Sequence, residues 1–188
     1  YGNALLENGE IDAARDSFLR AIQIDSSFID ALWNLSGTVT TIDEHISLLE
    51  DCLQIDQGYK KAKLMLSSMK AYLGDPGELN TILETSLRNH PYIRSASWLI
   101  DLKNRPAVYF NRWQFYDSVS KLSQPSRPFY EFGVWRGSSF RYLIKIYKQG
   151  YGFDTFQGIP EDWDDLEKGS YSSGGAIPSV EGGTFIAG

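Results

Sequence analysis

The chain has little of what staples or metallates small proteins. A single cysteine, Cys52, occurs in 188 residues, so no internal disulfide can form and no cysteine-rich zinc site exists. A reducing, cytoplasmic setting is the expectation. There are two histidines, His45 and His90; neither has a metal-like partner four residues on. Basic charge is also scarce. The net charge of −6 opposes the basic stripe that a nucleic-acid surface needs, and leaves room only for a small basic pocket. No apolar run approaches the roughly 20 residues that span a bilayer, and no signal peptide is visible. No membrane and no nucleic-acid partner are expected. What remains is 42% hydrophobic and 22% charged, a balance that supports a packed core rather than disorder. The first residue, Tyr1, already lies inside a helical pattern, and the closing "GGTFIAG" reads as a strand beginning. The expectation is a piece of a longer protein.

The first hundred residues repeat. "YGNALLENGEIDAARDSFLRAIQIDSSFIDALWNLSG" has a helix–turn–helix pattern, with Gly2, Ala14 and Ala21 where two helices approach closely. Tyr1, Leu5, Phe18 and Ile24 are expected to fill the gaps, and Gly9 to mark the turn. Leu35-Ser36 follows Tyr1-Gly2 by 34 residues. With those small residues and that period, the segment resembles the tetratricopeptide family. "HISLLEDCLQIDQ" (45–57) matches a second helix with Cys52 in a small-residue slot, packed rather than reactive. "AKLMLSSMKAYLGDPGELNTILETSLRNHP" (62–91) matches again, with Gly74 at the turn and Pro91 at the end, and "YIRSASWLIDLK" (92–103) reads as one more helix. Residues 1–103 therefore read as an α-helical, tetratricopeptide-like solenoid, which buries a continuous core only by stacking neighbours. The resemblance implies a groove for a protein partner, or a plain spacer.

Residues 104–127 read as a connector. Tyr109, Trp113, Tyr116, Val119 and Leu122 recur at helical steps, and Pro125 and Pro128 end the pattern. Then the period changes. Phe129 to Val134 is a short aromatic run suited to a buried strand, broken by Gly133 and Gly137. Ser138 or Ser139 suits a helix N-cap. "SFRYLIKIYK" carries Phe140, Leu143, Ile144 and Tyr147 on one face, with Gly150 expected to close the helix. "GYGFDTF" (150–156) reads as a second strand ending in Asp154. Strand, glycine turn, helix and strand form half of a doubly wound α/β fold.

Such a unit aims bare helix-start amides at an anionic group. An acid at the end of the second strand can grip a ribose diol, and Asp154 follows Gly133 by 21 residues, close to the roughly 20 usual between these two features. A dinucleotide fingerprint would place glycine where Trp135 stands, which weighs against NAD or FAD. Glu-x-Gly-x-x-x-Gly-Ser-Ser instead suits a nucleoside carrying an amino-acid carboxylate and no phosphate. S-adenosylmethionine is such a ligand.

"FYEFGVWRGSSFRYLIKI" together with "GYGFDTFQGIPEDW" resembles class I S-adenosylmethionine-dependent methyltransferases, and in particular the macrocin O-methyltransferase family. The resemblance covers residues 128–188 and implies a truncated, Rossmann-like domain. It implies that Glu131, Gly133, Gly137, Ser138 and Ser139 line the methionine end of the cofactor, that Asp154 binds the ribose, and that Thr155 or Phe156 borders the adenine. It implies a small-molecule hydroxyl as acceptor, a sugar among the candidates, and Mg²⁺ held by carboxylates on later strands outside this sequence. The catalytic base is unknown; no histidine occurs in residues 104–188, so a histidine base would lie beyond Gly188, and the chain alone is expected to be inactive. The loop "EDWDDLEKGSYSSGGAIPSVEGG" reads as a mobile lid, its acids spaced unlike a Ca²⁺ loop. No metal site is expected. Two other readings compete: a tetratricopeptide scaffold with a degenerate α/β segment, and an NAD-dependent dehydrogenase, which Trp135 disfavours.

Overall fold

A computed structural model describes residues 1–163 and 166–188. The chain divides into two compact units, one of Tyr1–Leu6 with Glu10–Asn111, the other of Glu7–Gly9 with Arg112–Gly188. The division falls inside the stretch that reads as a connector, so the helix of that stretch belongs to the second unit.

The first unit is helical. Its elements are α1 (Gly2–Glu7), α2 (Ile11–Ile24), α3 (Ile29–Ser36), α4 (Ile42–Ile55), α5 (Lys60–Leu73), α6 (Gly77–Leu83), a 3-10 turn (Ser86–Asn89) and α7 (Pro91–Ile100). Successive helices pack in turn, α2 on α3, α3 on α4 and α4 on α5, with α5 also meeting α6 and α7. Local chemistry marks several ends. Thr41 caps α4 by accepting a bond from the Glu44 amide at 3.3 Å, and Gly74 ends α5 in the left-handed region. Pro91 does not end a helix as expected: it is the first residue of α7, where its fixed φ and missing N–H cost nothing, and His90 caps it.

Three apolar clusters make this core. Leu5, Ala14, Phe18 and Leu35 form one; Leu32, Leu49, Cys52, Ala62 and Leu66 form the next; Leu64, Ala71, Leu79, Ile82 and Ile93 form the third. Gly2 lies directly against the Phe18 ring, so a larger residue there would displace it. Two expected gap-fillers do not fill gaps: Tyr1 is 93% and Ile24 88% exposed, because each sits at a helix end beyond the reach of the partner helix. Cys52 is fully buried, and burial pushes its thiol up to about 11. His45 is also buried, stacked on Phe110 at 4.2 Å, with Nδ1 donating to the Ser36 carbonyl at 2.7 Å.

The second unit contains α8 (Arg112–Leu122), β1 (Phe129–Phe132), α9 (Ser138–Tyr147), β2 (Gly150–Asp154) and β3 (Gly183–Ala187). The strands form one parallel sheet in the order β1-β2-β3, with Phe129 opposite Gly150 and Gly150 opposite Gly183. Parallel neighbours need a crossover, and α9 supplies it between β1 and β2. Its buried face, Phe140 and Ile144, meets Val134 and Phe156, with Phe129 and Phe185 packed around them. Strand alternation turns Tyr130 and Phe132 the other way, where they stack on Tyr151 and Phe153.

The ends of α9 differ from expectation. The cap residue is neither Ser138 nor Ser139 but Gly137, at φ +74°. The bend after β1 needs a left-handed residue there, which glycine adopts without steric cost, and both serines already lie in the first helical turn. Lys148 rather than Gly150 closes the helix, at φ +64°, its amide donating to the Ile144 carbonyl at 3.0 Å. Gly150 is instead the first residue of β2, with the Phe129 ring against its α-carbon.

Candidate functional site

The polypeptide leaves β1 through a bend at residues 133–137. Gly133, at φ +86°, still bonds into the sheet, its amide donating to the Phe153 carbonyl at 2.9 Å. Trp135 follows at φ +50°, a left-handed conformation that bulky residues seldom take. The Gly137 amide closes the bend on the Val134 carbonyl at 2.8 Å.

Asp154, at the end of β2, reaches this bend directly. Its Oδ2 accepts from the Trp135 amide at 2.6 Å, and its Oδ1 accepts from the Phe156 amide at 2.7 Å. An ionised carboxylate has about four acceptor positions, so two bonds of this kind fix its orientation and leave acceptor capacity for a ligand. Thr155 turns back on the loop, its hydroxyl donating to the Gly158 carbonyl at 3.0 Å.

A cavity of about 610 Å³ opens here, a size suited to a cofactor. Gly133, Trp135, Asp154 and Thr155 line it together with Phe153, Gly158, Ile159, Pro160, Tyr171, Ile186 and Gly188. Among these residues Asp154 carries the only charged side chain, and none is lysine, arginine or histidine. A lining of this kind suits a flat, largely apolar ligand bearing hydroxyls, and a cation stands beside it: the Arg136 guanidinium lies 4.9 Å from the centroid of the Trp135 ring.

The expected site residues thus divide. Gly133, Asp154 and Thr155 come together on the cavity. Gly137, Ser138, Ser139 and Glu131 do not line it. A side chain at Gly137 would meet Pro178 at 3.1 Å, so residues of the 176–180 segment lie over the start of α9. Glu131 lies on the α9 side of the sheet. Its Oε1 accepts from the Ser139 hydroxyl, while Oε2 is buried with no partner among the described residues. Burial raises the carboxyl above its usual value, against the opposing effects of the Ser139 bond and of the Arg112 charge. Phe156 departs most from expectation. Its ring is buried to 1% in the α9–sheet core rather than turned to the cavity, because the tight turn after Asp154 directs it inward at φ +59°.

The loop expected to be a lid carries backbone bonds of its own and to Phe156. Ile159 and Ser170 share a backbone bond at 3.0 Å, as do Gly169 and Ile159, and the Phe156 carbonyl accepts from the Gly175 amide at 2.9 Å. Asp164 and Asp165, in its acidic run, lie outside the described residues. No group of three or more His, Cys, Asp or Glu side chains among the described residues is arranged to hold a metal ion. No described helix is long and apolar enough to cross a membrane.

Sequence reasoning missed the walls: Phe153, Ile159, Pro160, Tyr171 and Ile186. Strand alternation would have found Phe153, which must face away from the helix that covers Gly152. Nothing local announces Tyr171, which arrives through loop bonds. No family model, no curated protein and no solved structure matches the chain.

Proposed function

We propose that residues 112–188 form the cofactor-binding part of an S-adenosylmethionine-dependent O-methyltransferase. The acceptor in this reading is a small-molecule hydroxyl, a sugar foremost, and the helical unit is a tetratricopeptide-type platform for a protein partner. One observation carries the reading: the acid that ends β2 is bonded to the glycine bend that ends β1, beside a cavity whose described lining residues include no lysine, arginine or histidine. A diol donates two hydroxyls, and Asp154 keeps acceptor positions for both. A nucleoside without phosphate suits the remaining walls, whereas a pyrophosphate would meet the Asp154 charge and an amide already bonded to it.

When bound, S-adenosylmethionine supplies an electrophilic methyl group on a sulfonium. The work of the chain's own residues is positioning. Asp154 orients the sugar of the ligand, the apolar walls exclude water from its base, and the rigid strand ends hold both in one geometry. The bend fixes where the rest of the ligand leaves the cavity. A parallel sheet with the order β1-β2-β3 suits this arrangement, since ligands of open parallel sheets bind beyond the carboxyl ends of the strands.

Calorimetric titration of the chain with S-adenosylhomocysteine, the demethylated product, tests the reading. Binding is expected, with at least a tenfold loss in Asp154→Asn, which keeps the side-chain volume and one carbonyl acceptor. No binding to the wild-type chain, or equal binding to Asp154→Asn, would remove the basis of the assignment.

A further inference from the structure

Trp135 touches two separate parts of the second unit, the end of β2 and the loop at residues 171–172. Its amide donates to Asp154 Oδ2 at 2.6 Å, tying the bend to the end of β2. Its indole Nε1–H donates to the Ser172 carbonyl at 3.2 Å. Its ring meets Tyr171 edge-on, with centroids 5.7 Å apart and planes at 86°. Both residues line the cavity. Both residues also stand at positive φ, Trp135 at +50° and Tyr171 at +60°. A left-handed bulky residue persists only where its surroundings over-determine it. Here two of them line one cavity and meet edge-on.

We propose that Trp135 is a positioning residue that sets the base end of the cavity. The indole N–H fixes the loop at Ser172, the loop presents Tyr171, and Tyr171 forms the wall against which a purine base is held. The same residue, through its amide, fixes the carboxylate that takes the sugar. Sugar recognition and base recognition are thereby joined through one side chain and its backbone, and an adenine nucleoside that engages both steadies the loop. This goes further than the methyltransferase reading, on which it rests for the identity of the ligand.

The test uses the full chain and S-adenosylhomocysteine, with calorimetry for affinity and amide hydrogen exchange for the loop. The wild-type chain is expected to bind, and binding is expected to slow exchange in residues 169–175. Trp135→Phe keeps a ring but loses the N–H. It is expected to bind about tenfold more weakly, with its circular dichroism unchanged, and to show no ligand protection in 169–175. Tyr171→Gly is the second variant. Glycine is at ease at that φ, so the fold is expected to persist while affinity falls by a similar factor. Should Trp135→Phe fail to fold, Tyr171→Gly decides the matter alone. Wild-type binding without protection of 169–175, or variants that bind within twofold of wild type, would overturn this inference and leave the methyltransferase reading standing. Absence of any wild-type binding would overturn both.

Discussion

Glu131 shows how one residue type can answer two purposes. A carboxylate beside a glycine bend suggests a ligand contact, yet this one lies under the bend, bonded to Ser139, with Oε2 buried and unpartnered among the described residues. Burial is the largest influence on it and raises its pKa above the ordinary 4.5. The sign of the pH effect follows. As pH rises through about 4.5, the unfolded chain gives up this proton before the folded chain does, so the unfolded state gains relative to the native one. Glu131 therefore lowers stability at neutral pH compared with a neutral residue of its shape. Glu131→Gln keeps an acceptor for Ser139 and removes the buried charge. Denaturant melts should show the variant more stable than wild type at pH 7, with the difference shrinking toward pH 4. A variant less stable at pH 7 would mean that a cation offsets the charge more than the geometry indicates.

At the scale of elements, helix α9 packs against the residues that follow β1 and β2, and its closing residue is strained. Lys148 holds φ +64°, where a side chain costs roughly 1–2 kcal/mol and glycine does not. Glycine also adds entropy to the unfolded chain, an opposing cost of about 0.5–1 kcal/mol. Lys148→Gly is expected to raise unfolding free energy by a few tenths to about 1 kcal/mol, measured by urea denaturation. A loss would show that the lysine stem packs more tightly than its exposure indicates. The neighbouring glycine of β2 works in the opposite sense. A side chain at Gly152 would come within 2.7 Å of Phe185 and 2.8 Å of Val134, so close sheet–helix packing needs a bare α-carbon there. These details mark what was legible. The span of β2 and its ending at Asp154 could be read because aromatic and glycine residues alternate up to an acid. The existence of α9 could be read from its apolar spacing. Its two caps could not, since Gly137 and Lys148 are chosen by the bend and by the packing of Gly150 on Phe129. The loop walls were illegible for a stronger reason: Ile159, Ser170 and Trp135–Ser172 are joined by bonds that depend on the folded strand ends, not on local preference.

At the scale of the whole molecule, the apolar clusters are distributed one set to each unit. Leu49, Cys52 and Leu66 belong to the helical core, while Phe140, Ile144 and Phe156 belong to the α/β core. A chain with more than one core has no single unfolding free energy unless its parts melt together. Cys52 provides a probe of one part. Its thiol is fully buried and raised to about 11, so a disulfide reagent reaches a reactive thiolate only when the helical core opens. A ligand provides the lever on the other. At a hundred times its dissociation constant, a ligand specific for the native state adds about 2.7 kcal/mol to the part that binds it. S-adenosylhomocysteine at that ratio is expected to suppress hydrogen exchange of β1, α9 and β2 while leaving the labelling rate of Cys52 unchanged. Labelling slowed in proportion to the added ligand would mean that both cores open in one transition. The stabilisation supplied at Asp154 would then reach Leu49 and Cys52 through the folding equilibrium itself, and a single unfolding free energy would describe the chain after all.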